Sequence, residues 1–347
     1  MSSFSSNNRI SSVTRFKLLP KVVDTILNSN VLAQRIIKKS KKWSGNQIKV
    51  PVKVSKNTTG SSFAGFDTFS TAATDNRQIM AFDPKFYQMT CALPLDELWV
   101  NQSSDRTEAT LDLAALELQS TAQDMADDIG TLFYSDGTGN GSKDFLGLGA
   151  IVDDGTTAAT YGGLTRATFT TLNATSTASS GTLTLAKMAT LYNAITSGNV
   201  RPTVGICSET VFSLFESLLN PQERYMKDSS AVKEGLVGGT GYLNLYFKGF
   251  PILMDEKSTS GVLFFLNEDF LDFYAVEAKE GATPIKVADA PIEGNDYSNV
   301  GKSMGFSWSD WVKPTNSASV VGHIYMGGEF IGSDPKRNGK LTGITSV

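Results

Sequence analysis

Histidine is nearly missing from this chain of 347 residues: His323 stands alone. That excludes a multi-histidine zinc site. It also leaves a Ser-His-Asp triad with one available base, set in the alternating run VVGHIYM, where a structural histidine is the better reading. Cysteine is scarce as well. Cys91 and Cys207 lie far apart in the apolar contexts TCALPL and VGICSE, which suits buried free thiols and supplies no C-x-x-C pair. No apolar run approaches eighteen residues, so no membrane span is expected. The N-terminal MSSFSSNNRISSVTRF has no apolar core ahead of a cleavage site and is not a secretory signal; the free thiols imply synthesis in a cytoplasm.

Sites for cofactors are equally thin. Gly301-Lys302-Ser303 resembles the end of a phosphate-binding loop, but Asp296 stands where the first glycine belongs, and a strand-like SMGFSW follows in place of a helix. Asp136 to Asp144 alternates oxygen-bearing side chains like a calcium loop, yet Gly147 occupies the position of the closing acid. Gly235, Gly238, Gly239 and Gly241 lack the strand and helix that a dinucleotide fingerprint needs. No catalytic residue, cofactor or metal ligand is therefore assigned, and an enzyme is disfavoured.

Charge is present but unevenly spread. Residues 1–56 carry twelve Lys or Arg against one acid, Asp24, although the whole chain has 31 bases and 35 acids. A basic arm on an acidic body points to nucleic acid or to the acidic body of a neighbouring copy as its partner. Lys38, Lys39, Lys41 and Lys42 close this block and are its interface candidates. The same region holds an amphipathic stretch from Val22 to Ile37, too short to fold alone, which must bury its stripe against something else.

The most regular stretch is Asp105 to Tyr134. Leu111, Ala115, Leu118, Ala122, Met125, Ile129 and Leu132 follow at steps of four and three, which predicts one long helix with a single apolar face. Asp105 and Glu108 suit its N-terminus, and Gly137 its end. Leu111, Leu118, Met125, Ile129 and Leu132 are the expected core of this spine. Before it, IKVPVKVS alternates as a strand, and MAFDPKFYQMTCALPL returns as another. Between them, more than twenty Gly/Ser/Thr-rich residues carry Phe63, Phe66 and Phe69. Such a loop makes sense as a two-stranded arm reaching onto a neighbouring subunit.

Beyond the helix, Thr184 to Ser197 and Glu209 to Leu219 read as helices flanking a short buried strand, Thr203 to Cys207. Strands are expected at about 243–248, 250–254, 262–266 and 271–277. Short strands and a basic, glycine-containing tail follow Pro291.

The order of long acidic-faced helix, LFYSDGTGNGSKDFLGL, AIVDDGT, TYGGLTRATF and the Leu172-Asn173-Ala174 segment resembles the major capsid proteins of tailed bacteriophages. WSGNQIKVPVKVS with its FDPKFYQMTCALPLDEL return is similar to the extended E-loop of that family, and PTVGICSETVFSLFESLLNPQERY to its A-domain strand-helix unit. The resemblance covers about Trp43 to Tyr274.

It implies an α+β capsid fold shared with encapsulins and the herpesvirus capsid floor. The parts would be an N-terminal arm (1–43), an E-loop (44–95), a P domain beginning with the spine helix (96–160), an A domain (161–275), and P-domain strands with a C-terminal tail (276–347). It further implies self-assembly into pentamers and hexamers of an icosahedral head around double-stranded DNA, in the virion, assembled in a host cytoplasm. Implied partners are a portal, a decoration protein, and a scaffolding protein that is separate, or else a segment removed before residue 1, because the E-loop begins too early to leave room for one. An encapsulin-type compartment shares the architecture and stays open. A surface adhesin, suggested by the Ser/Thr/Gly content, would need an export signal.

Overall fold

The computed structural model describes residues 30–72, 75–97, 107–219, 245–276, 306–308 and 311–347. The Val22 to Leu27 half of the amphipathic stretch, Asp105, the glycine group from Gly235 to Gly241, and Gly301 to Ser303 lie outside them, as does the side chain of Leu111.

The long helix, here α2, runs Thr107–Leu132, and α1, the short helix ahead of it, runs Val31–Lys38. At 1.5 Å per residue α2 spans roughly 39 Å. Leu118, Ala122, Met125, Ala126 and Ile129 are buried along its inner side, as is Phe133 just past its end, and Leu132 is half-buried against the same core. The helix stops five residues before Gly137. Phe133's carbonyl accepts from the Leu148 amide at 2.7 Å, and the Tyr134 and Ser135 amides turn back to Thr131 and Leu132. Gly137, at φ +75°, serves the following turn instead.

Two sheets flank this helix. The five-stranded one has the order β1-β12-β14-β13, with β4 also paired to β14. Its strands are β1 (Lys41–Trp43), β4 (Lys85–Pro94), β12 (Leu271–Val276), β13 (Phe306–Trp308) and β14 (Ser319–Gly332). Gly328 pairs with Lys85 on one edge and Ala275 on the other, so β14 is the central strand there. Ile324, Met326 and Phe330 of β14, with Cys91 and Leu93 of β4, are buried, while Phe86 and Tyr325 point outward.

The six-stranded sheet has the order β7-β15-β11-β8-β10-β9. These are β7 (Thr175–Thr182), β8 (Val204–Cys207), β9 (Leu245–Phe247), β10 (Phe250–Met254), β11 (Leu263–Leu266) and β15 (Gly339–Ser346). Both faces of its centre are covered, which explains the unbroken apolar runs VGIC and LFFL. Phe264 and Leu266 join the core under α2. Leu263 and Phe265 face a second core formed with α3 (Leu185–Ile195) and α4 (Glu209–Leu219). The Thr184 hydroxyl caps α3 by accepting from the Lys187 amide at 3.2 Å.

Two placements differ from the sequence reading. The C-terminal segment forms no free basic tail: Leu341 and Ile344 are buried, and β15 runs between β7 and β11. Likewise the end of the basic block is part of the body, since β1 pairs in parallel with β12 from Lys41↔Tyr274 to Trp43↔Val276.

Candidate assembly surface

A separate two-stranded sheet, β2 (Ile48–Lys53) with β3 (Arg77–Phe82), projects from this body. Its root is apolar and fixed: Ile48, Met80 and Phe82 are buried, and the Phe82 ring meets Tyr161 edge-on at 5.1 Å. Opposite sits the turn between β5 (Thr160–Tyr161) and β6 (Leu164–Thr165). Gly162, at φ +57°, accepts from the Ala81 amide at 3.0 Å, and a Cβ there would lie 2.6 Å from that of Met80. Only glycine satisfies both the turn and the close approach. This is the Tyr-Gly-Gly-Leu-x-Arg segment of the sequence, and its role is to seat the hairpin.

Away from the root the hairpin is open to solvent. Pro51 and its partner Ile79 are exposed, and Phe63, Phe66 and Phe69 of the connecting loop are 67, 106 and 64% exposed. Phe63 and Phe69 meet edge-to-face at 5.1 Å and leave Phe66 outermost. Three exposed phenylalanines on one loop are far more apolar surface than an isolated chain leaves in water without use. A second apolar surface lies on the outer face of β4 and β14, where Phe86 and Tyr325 are exposed, flanked by Val312. His323 sits there too, with Nδ1 3.0 Å from the Thr90 hydroxyl, as a structural histidine of the sheet.

The basic candidates are divided by the fold. Lys41 donates to Asp272 at 2.7 Å, a bond that raises its pKa, and so is used within its own chain. Lys38 and Lys39 are exposed at the end of α1, and Lys42 is exposed on β1. Helix α1 is itself anchored to the body, with Leu32, Ala33, Ile36 and Ile37 buried. The Leu32 amide donates to the Asp255 carboxylate at 3.0 Å, supplying from outside the helix the cap that Asn30 does not give. Arg35 binds both oxygens of Glu268 at 2.6 and 2.9 Å. Burial would raise the Glu268 pKa, but the Arg35 bond and charge outweigh it and hold this carboxylate below its usual range.

Behind the hairpin seat lies a buried ion pair. Arg166 and Asp153 are 0 and 1% exposed, with Nη1 3.3 Å from Oδ2. Arg166 also donates to the carbonyls of Asp153 and Ala150, and Tyr161's ring lies 5.0 Å from the guanidinium carbon. Asp153 accepts from the amides of Gly155, Thr157 and Ala158, and Lys340 stands 3.6 Å away. Burial opposes its charge, yet these amides and Lys340 pull its pKa below the ordinary value. Among the described residues, no group of three or more His, Cys, Asp or Glu side chains is placed to hold a metal ion. No helix there is long and apolar enough to cross a membrane.

No protein-family model matches the chain, and no curated protein sequence matches it. Solved structures do. The capsid asymmetric unit of cyanophage A-1(L) superposes with a TM-score of 0.66 at 15% identity, over 90% of this chain and 92% of that one. This chain has the tailed-phage capsid fold. The capsid of a native GTA particle matches at 0.53 and 12% identity, covering 90% of each chain. The holo-SrpI encapsulin of Synechococcus elongatus PCC 7942 also matches at 0.53, with 10% identity over 90% of this chain and 86% of that one.

Within the capsid fold, the sequence reading expected a long helix and a loop carrying phenylalanines, but it missed the polar anchors. Asn30, Asp153, Asp255, Glu268 and Glu329 are all buried, and their partners lie up to 233 positions away, as Arg35 and Glu268 do. A local signal existed only for Asp153, whose DDGTTA run is rich in turn formers.

Proposed function

We propose that this chain is the building block of an icosahedral phage head, the major capsid protein, whose copies assemble into pentamers and hexamers around double-stranded DNA. The observation carrying the reading is the match to the cyanophage capsid unit over 90% of this chain, together with an exposed hairpin whose phenylalanines have no use in a lone subunit. The role is structural. The hairpin, with its loop, acts as the E-loop and lies on the next subunit, where the outer face of β4 and β14 offers aromatic surface. The α2 helix and the five-stranded sheet act as the P domain, and most of the six-stranded sheet with α3 and α4 as the A domain. Lys38, Lys39 and Lys42 meet acidic neighbours, scaffold or DNA. A scaffolding protein, a portal and a decoration protein complete the particle in a host cytoplasm.

Expression of the full chain, alone and with the genes beside its own, followed by electron microscopy, tests this directly. Closed shells support it, and a persistent monomer under both conditions overturns it. The encapsulin match supplies a second reading, a compartment holding a protein cargo. Shells purified after nuclease treatment separate the two: protected double-stranded DNA favours the phage head, and a co-purifying enzyme without DNA favours the compartment.

A further inference from the structure

Glu329 is 1% exposed near the C-terminal end of β14, and its nearest described cation, the Lys85 ammonium, is 3.9 Å away, beyond hydrogen-bond range. Its Oε1 accepts from the Leu146 amide at 2.7 Å and the Phe330 amide at 3.2 Å. Lys85 donates instead to the carbonyls of Asp144 and Gly137. The carboxyl thus joins three parts: β14, the loop 136–146, and the residue that starts β4 just after the hairpin's second leg ends at Phe82. Across that root, Gln47 donates to Asp83 at 2.9 Å and ties the two legs together.

The other groups nearby give the ionised form little help. Asp83 is an acid, Tyr274 lies across the strand pair, and the Tyr161 phenol, whose pKa burial pushes up, brings no positive charge. Arg166 is committed to Asp153 and to backbone carbonyls. A carboxylate so poorly compensated in a buried site favours its protonated form.

We propose that Glu329 is a proton-operated latch at the root of the β2–β3 hairpin. Protonated, it keeps the loop 136–146 and the start of β4 closed on β14; ionised, it favours an opened state in which water reaches the carboxylate and the root is released. The sign follows from linkage. The closed state binds the proton more tightly than a solvated carboxyl does, so raising the pH shifts the balance toward opening. Burial, opposed by the Leu146 amide and Lys85, pushes the Glu329 pKa up to about 7, which places the changeover near neutrality.

Amide hydrogen exchange of Leu146 and Phe330 on the full-length chain reads this latch. Base-catalysed exchange alone rises about tenfold per pH unit, and opening coupled to loss of one proton adds about another tenfold per unit until Glu329 is ionised in the closed state. The logarithm of the rate against pH should therefore have a slope near 2 from about pH 5 to 7 and near 1 above. Glu329→Gln should give a slope of 1 throughout, with slower exchange than wild type above pH 7. A wild-type slope of 1 over the whole range overturns the latch, as does a break that survives in Glu329→Gln. If that variant does not fold, Lys85→Gln decides, because loss of the cation must move the break to higher pH; an unmoved break assigns it to another group. Shell formation plays no part in this latch, so either idea can fail alone.

Discussion

Arg166 keeps its charge in a place where solvent cannot reach it because Asp153, two carbonyls and the Tyr161 ring replace the lost water. Burial lowers its pKa, with the Asp153 charge acting against that. Removing one partner of such a pair strands the other, which costs about 3–5 kcal/mol, whereas an exposed pair costs about 1 or less. Arg166→Met should therefore lower the urea midpoint far more than Arg337→Met, which loses only a surface pair with Asp334. Acid should act on the same network. Asp153 and Glu268 have folded pKa values below their ordinary ones, so their stabilisation is present above those ordinary values and is lost as pH falls through the folded ones. Glu329 has the opposite sign and favours the fold below the usual glutamate range, losing that contribution as pH rises through about 7. Denaturation midpoints should fall between pH 5 and pH 3 in wild type, and less steeply in Glu268→Gln.

Among the elements, α2 was legible and α1 only half so, for one physical reason. A 3.6-residue stripe such as Leu118, Ala122, Met125 and Ile129 announces itself locally, because every member faces the same core. The Val31–Lys38 stripe announces that it must be buried but not where. Its seat is made by Asp255 and Glu268, more than two hundred residues on, and nothing near either residue in sequence points to a helix N-terminus or to Arg35. The C-terminal strand hid in the same way: its partners β7 and β11 are remote, and glycine with lysine made it look like a tail. Because these anchors lie within one chain, α1 should behave as part of the core. Ile36→Asp places an unpaired charge among Leu32, Ile37 and the inner face of α2 and should unfold the subunit or leave it aggregated, as should Leu118→Asp. An arm held only by neighbouring subunits would let Ile36→Asp fold normally and fail in assembly alone. Circular dichroism and size-exclusion chromatography of the unassembled variant separate these outcomes.

For the whole molecule, the exposed surfaces must answer a different question from the buried ones, since changes there should leave the subunit intact and alter only what it joins. Phe63 and Phe69 meet only edge-to-face with each other, Phe66 is fully exposed, and none of the three is in the core, so replacing all three with serine should shift subunit stability by no more than about 0.5 kcal/mol per site. Assembly should nonetheless fail or give open fragments, because the hairpin would reach the next subunit with nothing apolar to bury there. Among the lysines the fold divides the expectation. Reversal of Lys38, exposed at the end of α1, should leave thermal unfolding unchanged while weakening particles or their DNA content. Lys41→Glu breaks the pair with Asp272 and sets like charges side by side at the β1–β12 edge, so it should lower subunit stability as well. Wild-type yields of stable, DNA-filled shells from the triple phenylalanine variant would remove the hairpin from the assembly contact and require the outer face of β4 and β14 to serve in some other way. Soluble, folded subunits that no longer close into shells would leave the hairpin as the element that turns a fold into a particle.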